Sequence, residues 1–525
     1  MEVLKKRKNV ICAILGIVLI LEIGGLFYNS GIISGVNERA DKLKVFTVAL
    51  CDDATILPGD IFDRNGKVLA ETIYKTEIEK KEDGTEQEKR IRTTIYSDGE
   101  AYSQLIGYTG NHVLNPLAET VDDVVGNRRD YRLMAFLDEE YWGENGIYSI
   151  ADINGTKGQD VTLTLDDDLQ MEVYKVLAEQ MSASGDQGAA VVLNTKTGEI
   201  LSMVSFPTYD FNELSVAKAK MYRDEMETDL EPGYPVSYKN PEVPGSIFKV
   251  LMSVCLIDHG KEDFIVKDRP FKVNEWQCNN SYVSKGDEID YAAALERSSN
   301  VFFAQAALEL GVDNIKETAE KFMLYEDVFL DKDGDGIDDA DSTYLNFDFG
   351  SVEYNWDLDV SREVLAQTGF GQGKTEITTL YAAMLMQAIA NDGIMLKPYL
   401  INKLTNADGR IVYEGGTEVL SEATSKQTAD KVTEALVSAA RYGSSHHTGL
   451  GDTAELFNKY QVAGKTGTAE IGNEEDTVNA WFISFAPANN PQYVVAVNQC
   501  NTNKGGYSMM TTVAGIYEYL FEKYQ

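Results

Sequence analysis

The chain has 525 residues, with 47 Lys plus Arg against 84 Asp plus Glu, so its formal net charge is −37 at pH 7. Hydrophobic residues make up 43% and charged residues 25%, which is ordinary globular usage and excludes a disordered or fibrous chain. The acidic balance argues against a protein that binds duplex nucleic acid, because such a protein needs a basic surface. The five cysteines form no Cys-x-x-Cys pair, so the pattern indicates neither a zinc site nor a disulfide framework.

The amino-terminal segment predicts a membrane anchor. A basic cluster at residues 5–8 precedes the apolar stretch Val10–Tyr28, whose only charge is Glu22. That stretch is long enough to cross a bilayer as a helix, whereas a secretory signal has a shorter apolar region and a small-residue cleavage site. We therefore expect residues 1–8 to be a cytoplasmic tail and residues 9–28 to span the membrane, with the remainder extracellular. A cleaved signal peptide is the alternative.

Apolar periodicity predicts the elements that follow. Residues 57–72 indicate two strands joined by an Asn-Gly turn, and the charged segment 75–92 indicates an exposed hairpin or loop. Residues 160–181 indicate a short strand and then an amphipathic helix. Residues 189–206 indicate an antiparallel hairpin of a buried sheet, turning at Lys196-Thr197-Gly198.

The segment Val243–Gly260 predicts a buried helix, since apolar residues occupy nearly every face. It is expected to begin at Ser246, after a Pro-Gly break, and to end at Gly260. Lys249 lies three residues after Ser246 and shares its face. Burial lowers the pKa of a lysine, and a neutral amine beside a serine hydroxyl forms a nucleophile–base pair. In isolation, an N-cap serine and a lysine that reaches solvent explain the pattern equally well, and Ser215 opens a second Ser-x-x-Lys in a polar segment.

Two later motifs favour the catalytic interpretation. Ser298-x-Asn300 precedes an Ala- and Leu-rich helix, although a helix-capping serine is a simpler account of it. Lys465-Thr466-Gly467-Thr468 then precedes two predicted strands. The Lys-Thr-Gly at residues 196–198 is assigned to a hairpin turn because it comes before Ser298. Only the later triplet completes the ordered series of Ser-x-x-Lys, Ser-x-Asn and Lys-Thr-Gly-Thr.

These three elements resemble the active-site signatures of penicillin-binding proteins and serine β-lactamases. Further segments are similar to class B penicillin-binding proteins of the short type: PGDIFDRNGKVLAET, VTLTLDDDLQ, GAAVVLNTKTGEILSMVSFPTYDFN and TGFGQGKTEITTLYAAML. The resemblance implies an α+β fold with a transpeptidase domain at residues 161–525, built on a five-stranded antiparallel sheet flanked by helices. It also implies an elongated β-rich pedestal at residues 29–160.

The resemblance implies a role for each motif residue. Ser246 would attack the carbonyl of the penultimate D-Ala of a stem peptide, and Lys249 would take its proton. Ser298 would relay a proton to the leaving amine, with Lys465 keeping the relay electropositive, and Asn300 would bind the substrate amide. The Lys-Thr-Gly-Thr segment, namely Thr466, Gly467 and Thr468, would bind substrate, with the two threonines on the terminal carboxylate. The backbone N–H groups of Ser246 and Thr468 would form the oxyanion hole. Trp481, just after this segment, is expected to line the cleft.

The acidic segment 331–341 resembles the start of a calcium loop. Its candidate ligands are the carboxylates at positions 1, 3, 5 and 9 of the segment: Asp331, Asp333, Asp335 and Asp339. Position 12 is Ser342 where an EF-hand has glutamate, so a solvated acidic turn is the alternative. A structural Ca²⁺ is the only cofactor expected, and the acyl-transfer chemistry requires none.

Three functions fit the sequence. The first is peptidoglycan cross-linking by a membrane-anchored D,D-transpeptidase that β-lactams inhibit, with a polytopic glycosyltransferase as the partner that the resemblance implies. The second is hydrolysis by a β-lactamase or D,D-carboxypeptidase, which the anchor and the pedestal disfavour. The third is a β-lactam sensor or scaffold without activity, which the complete set of motif residues disfavours.

Overall fold

The computed structural model of the chain describes twelve stretches, to which all structural statements below refer: 60–80, 86–97, 99–106, 160–182, 187–208, 210, 235–324, 350–352, 360–405, 409–446, 449–472 and 477–524. The predicted anchor (9–28), most of the pedestal and the acidic segment 331–341 lie outside these residues. None of the helices in the described stretches combines the length and apolar character needed to cross a bilayer.

The strands, numbered in chain order, are β1 Ile61–Phe62, β2 Val68–Lys80, β3 Glu86–Tyr96, β4 Asp160–Leu163, β5 Gln187–Asn194, β6 Ile200–Phe206, β7 Val266–Lys267, β8 Phe271–Val273, β9 Trp276–Cys278, β10 Glu288–Ile289, β11 Gly350–Val352, β12 Thr375–Ile377, β13 Ile394–Leu396, β14 Ile401–Thr405, β15 Ile411–Glu414, β16 Val419–Glu422, β17 Ala463–Glu470, β18 Val478–Ala486 and β19 Tyr493–Thr502.

The α-helices are α1 Ser103–Ile106, α2 Asp167–Ser182, α3 Val236–Lys239, α4 Lys249–Asp258, α5 Tyr291–Arg297, α6 Asn300–Lys321, α7 Arg362–Thr368, α8 Thr379–Ala390, α9 Lys426–His446, α10 Gly451–Tyr460 and α11 Met509–Glu522. Two short 3₁₀ turns, Gly245–Phe248 and Gly506–Ser508, lead into α4 and α11. Helix α6 is interrupted at Gly311, whose φ is +75°.

A central five-stranded sheet of the described residues has the order β17-β18-β19-β5-β6, and every pairing in it is antiparallel. Helices α2 and α11 cover one face, where Val173 and Val513 join β5 residues such as Val192 in one apolar cluster. Successive strand residues point to opposite faces. Ala189 accordingly packs against Val236 of α3 on the other face, and α8 lies beside α3 there. The predicted sheet and its flanking helices are therefore confirmed.

A second sheet of six strands has the order β15-β14-β4-β1-β2-β3. Strand β1 pairs parallel with β4, placing Ile61 opposite Val161. Strands β2 and β3 form the hairpin that the charged segment 75–92 predicted. Because strands from both sides of residue 160 share this sheet, the beginning of the predicted pedestal is hydrogen-bonded to the predicted catalytic domain. The boundary at residue 160 itself stays a prediction.

Candidate active site

Ser246 lies in the 3₁₀ turn Gly245–Phe248, so α4 begins at Lys249, three residues later than the sequence predicted. Gly245 has φ +55°, and its N–H donates to the carbonyl of Gly371 at 2.8 Å. A Cβ at Gly245 would lie about 3.0 Å from Ala469 of β17, so only glycine fits there. In a 3₁₀ turn the side chains at i and i+3 eclipse. The tighter turn therefore aligns Ser246 with Lys249 more closely than an α-helix would.

Lys249 is completely buried, and its amine is surrounded by oxygen atoms. Its Nζ lies 2.9 Å from Ser246 Oγ, 2.8 Å from the Ser298 carbonyl, 3.2 Å from Ser298 Oγ and 2.7 Å from Asn300 Oδ1. The carbonyl and the amide oxygen can only accept. A neutral Lys249 amine can donate its two hydrogens to the Ser298 carbonyl and to Asn300 Oδ1. Its lone pair is then left for the proton of the Ser246 hydroxyl. Ser246 is not the N-cap of a helix and Lys249 does not reach solvent, so the simpler account of the Ser-x-x-Lys pattern fails.

The charge state of Lys249 follows from its surroundings. Burial lowers the pKa of this amine well below its ordinary value, and repulsion by Lys465 lowers it further. Opposing this, Cys278 and Asp268 raise the pKa by smaller amounts. The balance favours the neutral amine, which is the form that can accept the proton of a serine hydroxyl.

Ser298 ends α5 in the left-handed conformation, with φ +59° and ψ +43°. This backbone is uncommon for a residue other than glycine and turns both the carbonyl and the hydroxyl of Ser298 toward Lys249. Ser299, and not Ser298, caps α6, since its Oγ accepts from the Phe302 N–H at 3.1 Å. The Ser298 hydroxyl is thus available to the site. Asn300 Nδ2 donates to the Asn279 carbonyl at 3.3 Å, which leaves its oxygen directed at Lys249.

Lys465 comes from β17, at the edge of the central sheet, and is only 2% exposed. Its Nζ donates to Ser298 Oγ at 3.0 Å and to the Thr466 carbonyl at 2.9 Å. Burial lowers the pKa of Lys465 from its ordinary value to about 7. Ser298 Oγ consequently bridges two buried amines, which links Ser246, Lys249, Ser298 and Lys465 in one chain of hydrogen bonds. Such a chain can carry a proton from the attacking hydroxyl toward a leaving group.

The outer edge of β17 faces the catalytic turn. A Cβ on Gly467 would lie 2.8 Å from the Pro244 carbonyl, so glycine lets the strand approach the turn before Ser246. The Gln372 side-chain amide, in the orientation that satisfies both of its polar atoms, bonds the N–H and the carbonyl of Glu470, both at 3.1 Å. Backbone groups alternate along a strand, so the N–H of Thr468 also faces away from β18. Thr468 Oγ1 accepts from the Gly506 N–H at 2.9 Å.

Several contacts that hold the catalytic turn were missed from the sequence. Trp481 is fully buried and does not line the cleft, which corrects that expectation, and its Nε1 donates to the Val243 carbonyl at 3.0 Å. Asn479 donates to Glu242 Oε2 at 2.6 Å, and burial raises the pKa of that carboxyl. Both bonds tie the chain before Ser246 to β18. Gly371 and Gln372 belong to the segment TGFGQGKT. Its three glycines were the sequence feature that could have indicated a close contact with the catalytic turn.

The alternative motifs lie elsewhere or outside the described residues. Lys196 occupies the β5–β6 hairpin turn and donates to Asn391 Oδ1 at 3.1 Å, as expected of a turn residue. Ser215 and the acidic segment 331–341 are not among the described residues. Within the described ranges, no group of three or more His, Cys, Asp or Glu side chains is arranged to hold a metal ion.

Several known proteins are similar to this chain in sequence. The family model for the penicillin binding protein transpeptidase domain matches residues 188–517. The chain is 29% identical over 377 residues to penicillin-binding protein 3 of Bacillus subtilis, an alignment that covers 68% of this chain and 50% of the relative. It is 26% identical over 418 residues to the peptidoglycan D,D-transpeptidase PbpA of Mycolicibacterium smegmatis, covering 77% of this chain and 78% of PbpA.

Two solved structures have the same fold. The D,D-transpeptidase domain of a peptidoglycan glycosyltransferase from Eggerthella lenta superposes with a TM-score of 0.65 and 25% identity, covering 89% of this chain and 99% of that domain. Penicillin-binding protein A from M. tuberculosis, solved as a ceftriaxone acyl-enzyme complex, superposes with a TM-score of 0.67 and 24% identity, covering 90% of this chain and all of that one.

Proposed function

The chain belongs to the penicillin-binding protein transpeptidase family, among its class B D,D-transpeptidases, and on that premise we propose that it cross-links peptidoglycan stem peptides through an acyl-enzyme at Ser246. The observation that carries the proposal is the 2.9 Å contact between Ser246 Oγ and the buried amine of Lys249. A neutral amine held by two carbonyl-type acceptors is oriented to remove the hydroxyl proton. β-Lactams act here as mimics of the acyl donor.

The reaction proceeds in two acyl transfers. Ser246 Oγ attacks the carbonyl of the penultimate D-Ala, and its proton passes to Lys249. The backbone N–H groups of Ser246 and Thr468 stabilise the oxyanion. Ser298 then passes a proton to the nitrogen of the departing terminal D-Ala, and Lys465 keeps this relay electropositive. In the second transfer, an amine of a neighbouring stem peptide attacks the ester carbonyl, loses its proton to the same relay and releases Ser246.

Substrate binding uses the two faces of the cleft. Asn300, from the start of α6, hydrogen-bonds the substrate amide, and this contact requires its amide to exchange the Asn279 bond for the substrate. Thr466 and Thr468 bind the terminal carboxylate, whose charge Lys465 complements. Gly467 contributes by its lack of a side chain, since it brings β17 close to the catalytic turn.

The sequence supports a location for this activity. Residues 9–28 anchor the chain once in the cell membrane, with residues 1–8 in the cytoplasm and the catalytic domain outside. A polytopic peptidoglycan glycosyltransferase is the partner proposed. Protease added to intact spheroplasts expressing the full chain tests the orientation. If the added protease digests the catalytic domain of intact spheroplasts, the proposed orientation is supported. If the domain is digested only after lysis, the orientation is contradicted.

A structural calcium ion at Asp331, Asp333, Asp335 and Asp339 is proposed from their spacing alone. Calcium that binds only the folded chain raises the melting temperature. The test compares melting of the full chain in Ca²⁺ and in chelator, with Asp331→Ala as the variant. The calcium-dependent increase should disappear in the variant, and fluorescent penicillin labelling should not change. If calcium does not raise the melting temperature of the parent chain, the calcium site is contradicted.

Labelling of the purified full-length chain with fluorescent penicillin tests the catalytic proposal. Ser246→Ala should abolish the label, whereas Ser215→Ala, which alters the second Ser-x-x-Lys, should keep it. A label that persists for hours indicates a transpeptidase, and one lost within seconds indicates a β-lactamase. Incubation with a pentapeptide donor and an acceptor amine then separates cross-linking from carboxypeptidase hydrolysis. Retained labelling of Ser246→Ala would refute the assignment of the nucleophile.

A further inference from the structure

A buried carboxylate, Asp268, lies behind the Ser298–Asn300 segment and does not reach the reacting atoms. It is 1% exposed and accepts three hydrogen bonds, each of 2.7 Å, from Ser299 Oγ, Asn280 Nδ2 and the Tyr282 hydroxyl. Ser299 Oγ already accepts from the Phe302 N–H, so its own proton points to Asp268. Three donors directed at its two oxygens satisfy this buried carboxyl group.

Asn280, a partner of Asp268, also contacts the start of α6. Asn280 Oδ1 accepts from the Val301 N–H at 3.0 Å and lies 3.3 Å from Ser299 Oγ. The adjacent carbonyl of Asn279 accepts from Asn300 Nδ2 at 3.3 Å. Ser299 and Asn300 are thus bonded to residues 279–280, which Asp268 in turn fixes through Asn280.

This arrangement explains how Ser298 keeps its left-handed backbone. A non-glycine residue with φ near +59° costs free energy and persists only where neighbouring contacts determine it. Here Ser299, the next residue, is bonded to both Asp268 and the first turn of α6. Once Ser299 is fixed, the carbonyl and the hydroxyl of Ser298 are directed at Lys249.

We propose that Asp268 is a positioning residue for acylation: this buried side chain and its hydrogen bonds hold Ser298 and Asn300 against Lys249. The inference rests on the proposed function, since it requires Lys249 to be the base. Three titratable groups act on that amine: Lys465 from β17 lowers its pKa, and Cys278 from β9 and Asp268 raise it. Arg297 is a further charged group that interacts with Asp268.

Removing the Asp268 charge should shift the pKa of Lys249 in a definite direction. A negative charge near an amine favours the protonated amine, so loss of the Asp268 charge lowers the pKa of Lys249. Acylation requires neutral Lys249, and its second-order rate constant therefore rises with pH through the pKa of that amine. Asp268→Asn should move this acidic limb to lower pH. Looser positioning should also lower the maximal rate about 10- to 100-fold.

The experiment measures the second-order rate of acylation of the full-length chain by benzylpenicillin from pH 5 to pH 9. Asp268→Asn is compared with Asp287→Asn, which removes an exposed carboxylate from the same region and should match the parent chain. A profile like that of Asp287→Asn overturns the inference. A lower rate with an unmoved acidic limb also overturns it, because a general loss of packing gives that result.

A second variant covers the case in which Asp268→Asn does not fold. Asn280→Ala keeps the Asp268 side chain but removes the acceptor of the Val301 N–H and one donor to Asp268, so it should lower the maximal rate about 10-fold and leave the acidic limb in place. A maximal rate within twofold of the parent rate overturns the positioning role. If the parent chain is not acylated at Ser246, the proposed function fails. If the parent is acylated and the Asp268 variant behaves like the control, only this inference fails.

Discussion

Replacing Lys465 with methionine should change the pH dependence of acylation in a direction that the two-amine geometry determines. Lys249 Nζ and Lys465 Nζ both contact Ser298 Oγ, at 3.2 and 3.0 Å, so they lie no farther apart than the sum of those distances. Two unit charges about 6 Å apart repel by about 2.7 kcal/mol at an effective dielectric constant of about 20. A free energy of that size changes a proton-binding equilibrium about a hundredfold.

The parent chain should therefore show a bell-shaped profile. Its acidic limb reports the loss of the Lys249 proton, and its alkaline limb reports the loss of the Lys465 proton near pH 7. In Lys465→Met the repulsion is gone, so the pKa of Lys249 rises and the acidic limb should move to higher pH. The alkaline limb assigned to Lys465 should disappear, and the maximal rate should fall because the relay and the carboxylate contact lose their charge.

Stopped-flow measurement of benzylpenicillin acylation across pH 5 to pH 10 supplies these profiles. The sign of the shift is opposite to that expected for Asp268→Asn, so the two variants together test the electrostatic account of Lys249. An acidic limb that stays in place, or that moves to lower pH, in Lys465→Met would show that the amines do not share the interaction inferred from the distances.

Three further substitutions test separate parts of the site. Lys249→Met should lower the acylation rate about 10²- to 10⁴-fold with the fold intact, as loss of a general base predicts, and rapid labelling by a variant with a parent-like circular dichroism spectrum would exclude Lys249 as the base. Gly467→Ala brings a Cβ to 2.8 Å from the Pro244 carbonyl and should lower the free energy of unfolding by about 1–3 kcal/mol, as measured by urea unfolding. Gly451→Ala is the control, because a Cβ there enters open space and should not lower the stability. Thr468→Val removes the acceptor of the Gly506 N–H and one of the two hydroxyls proposed to bind the carboxylate. Benzylpenicillin should therefore acylate this variant more slowly, mainly because it binds more weakly. An unchanged apparent dissociation constant for benzylpenicillin would contradict that role.

The sequence was sufficient for the elements that carry strong periodicity. The β5–β6 hairpin, α2 and the strands after Lys465 are where apolar alternation or four-residue spacing predicted them. The order of three short motifs also predicted which residues meet, although Ser246, Ser298 and Lys465 are distant in the chain. Such motifs report chemistry directly, because their side chains must converge on one substrate.

Other features could not be predicted because they depend on tertiary contacts. The 3₁₀ turn at Ser246 follows from the left-handed Gly245, which Gly371 and Ala469 hold in place. Trp481 resembles a residue of a binding cleft in sequence, but its strand position points it into the core. Asp268 is a single aspartate in a segment of short strands, and its importance arises only when Asn280, Tyr282 and Ser299 surround it.

The left-handed backbone of Ser298 limits which side chains evolution or mutation can place there. Threonine keeps the hydroxyl, but its branched Cβ resists a positive φ. Asparagine and glycine accept that backbone, but neither carries a hydroxyl to bridge the two lysines. The replacement that keeps the hydroxyl and the replacements that accept the positive φ are thus different residues. Of serine, threonine, asparagine and glycine, only serine carries a hydroxyl without a branched Cβ. Substitutions that change how inhibitors react with this site are therefore expected in the residues around Ser298 rather than at Ser298 itself.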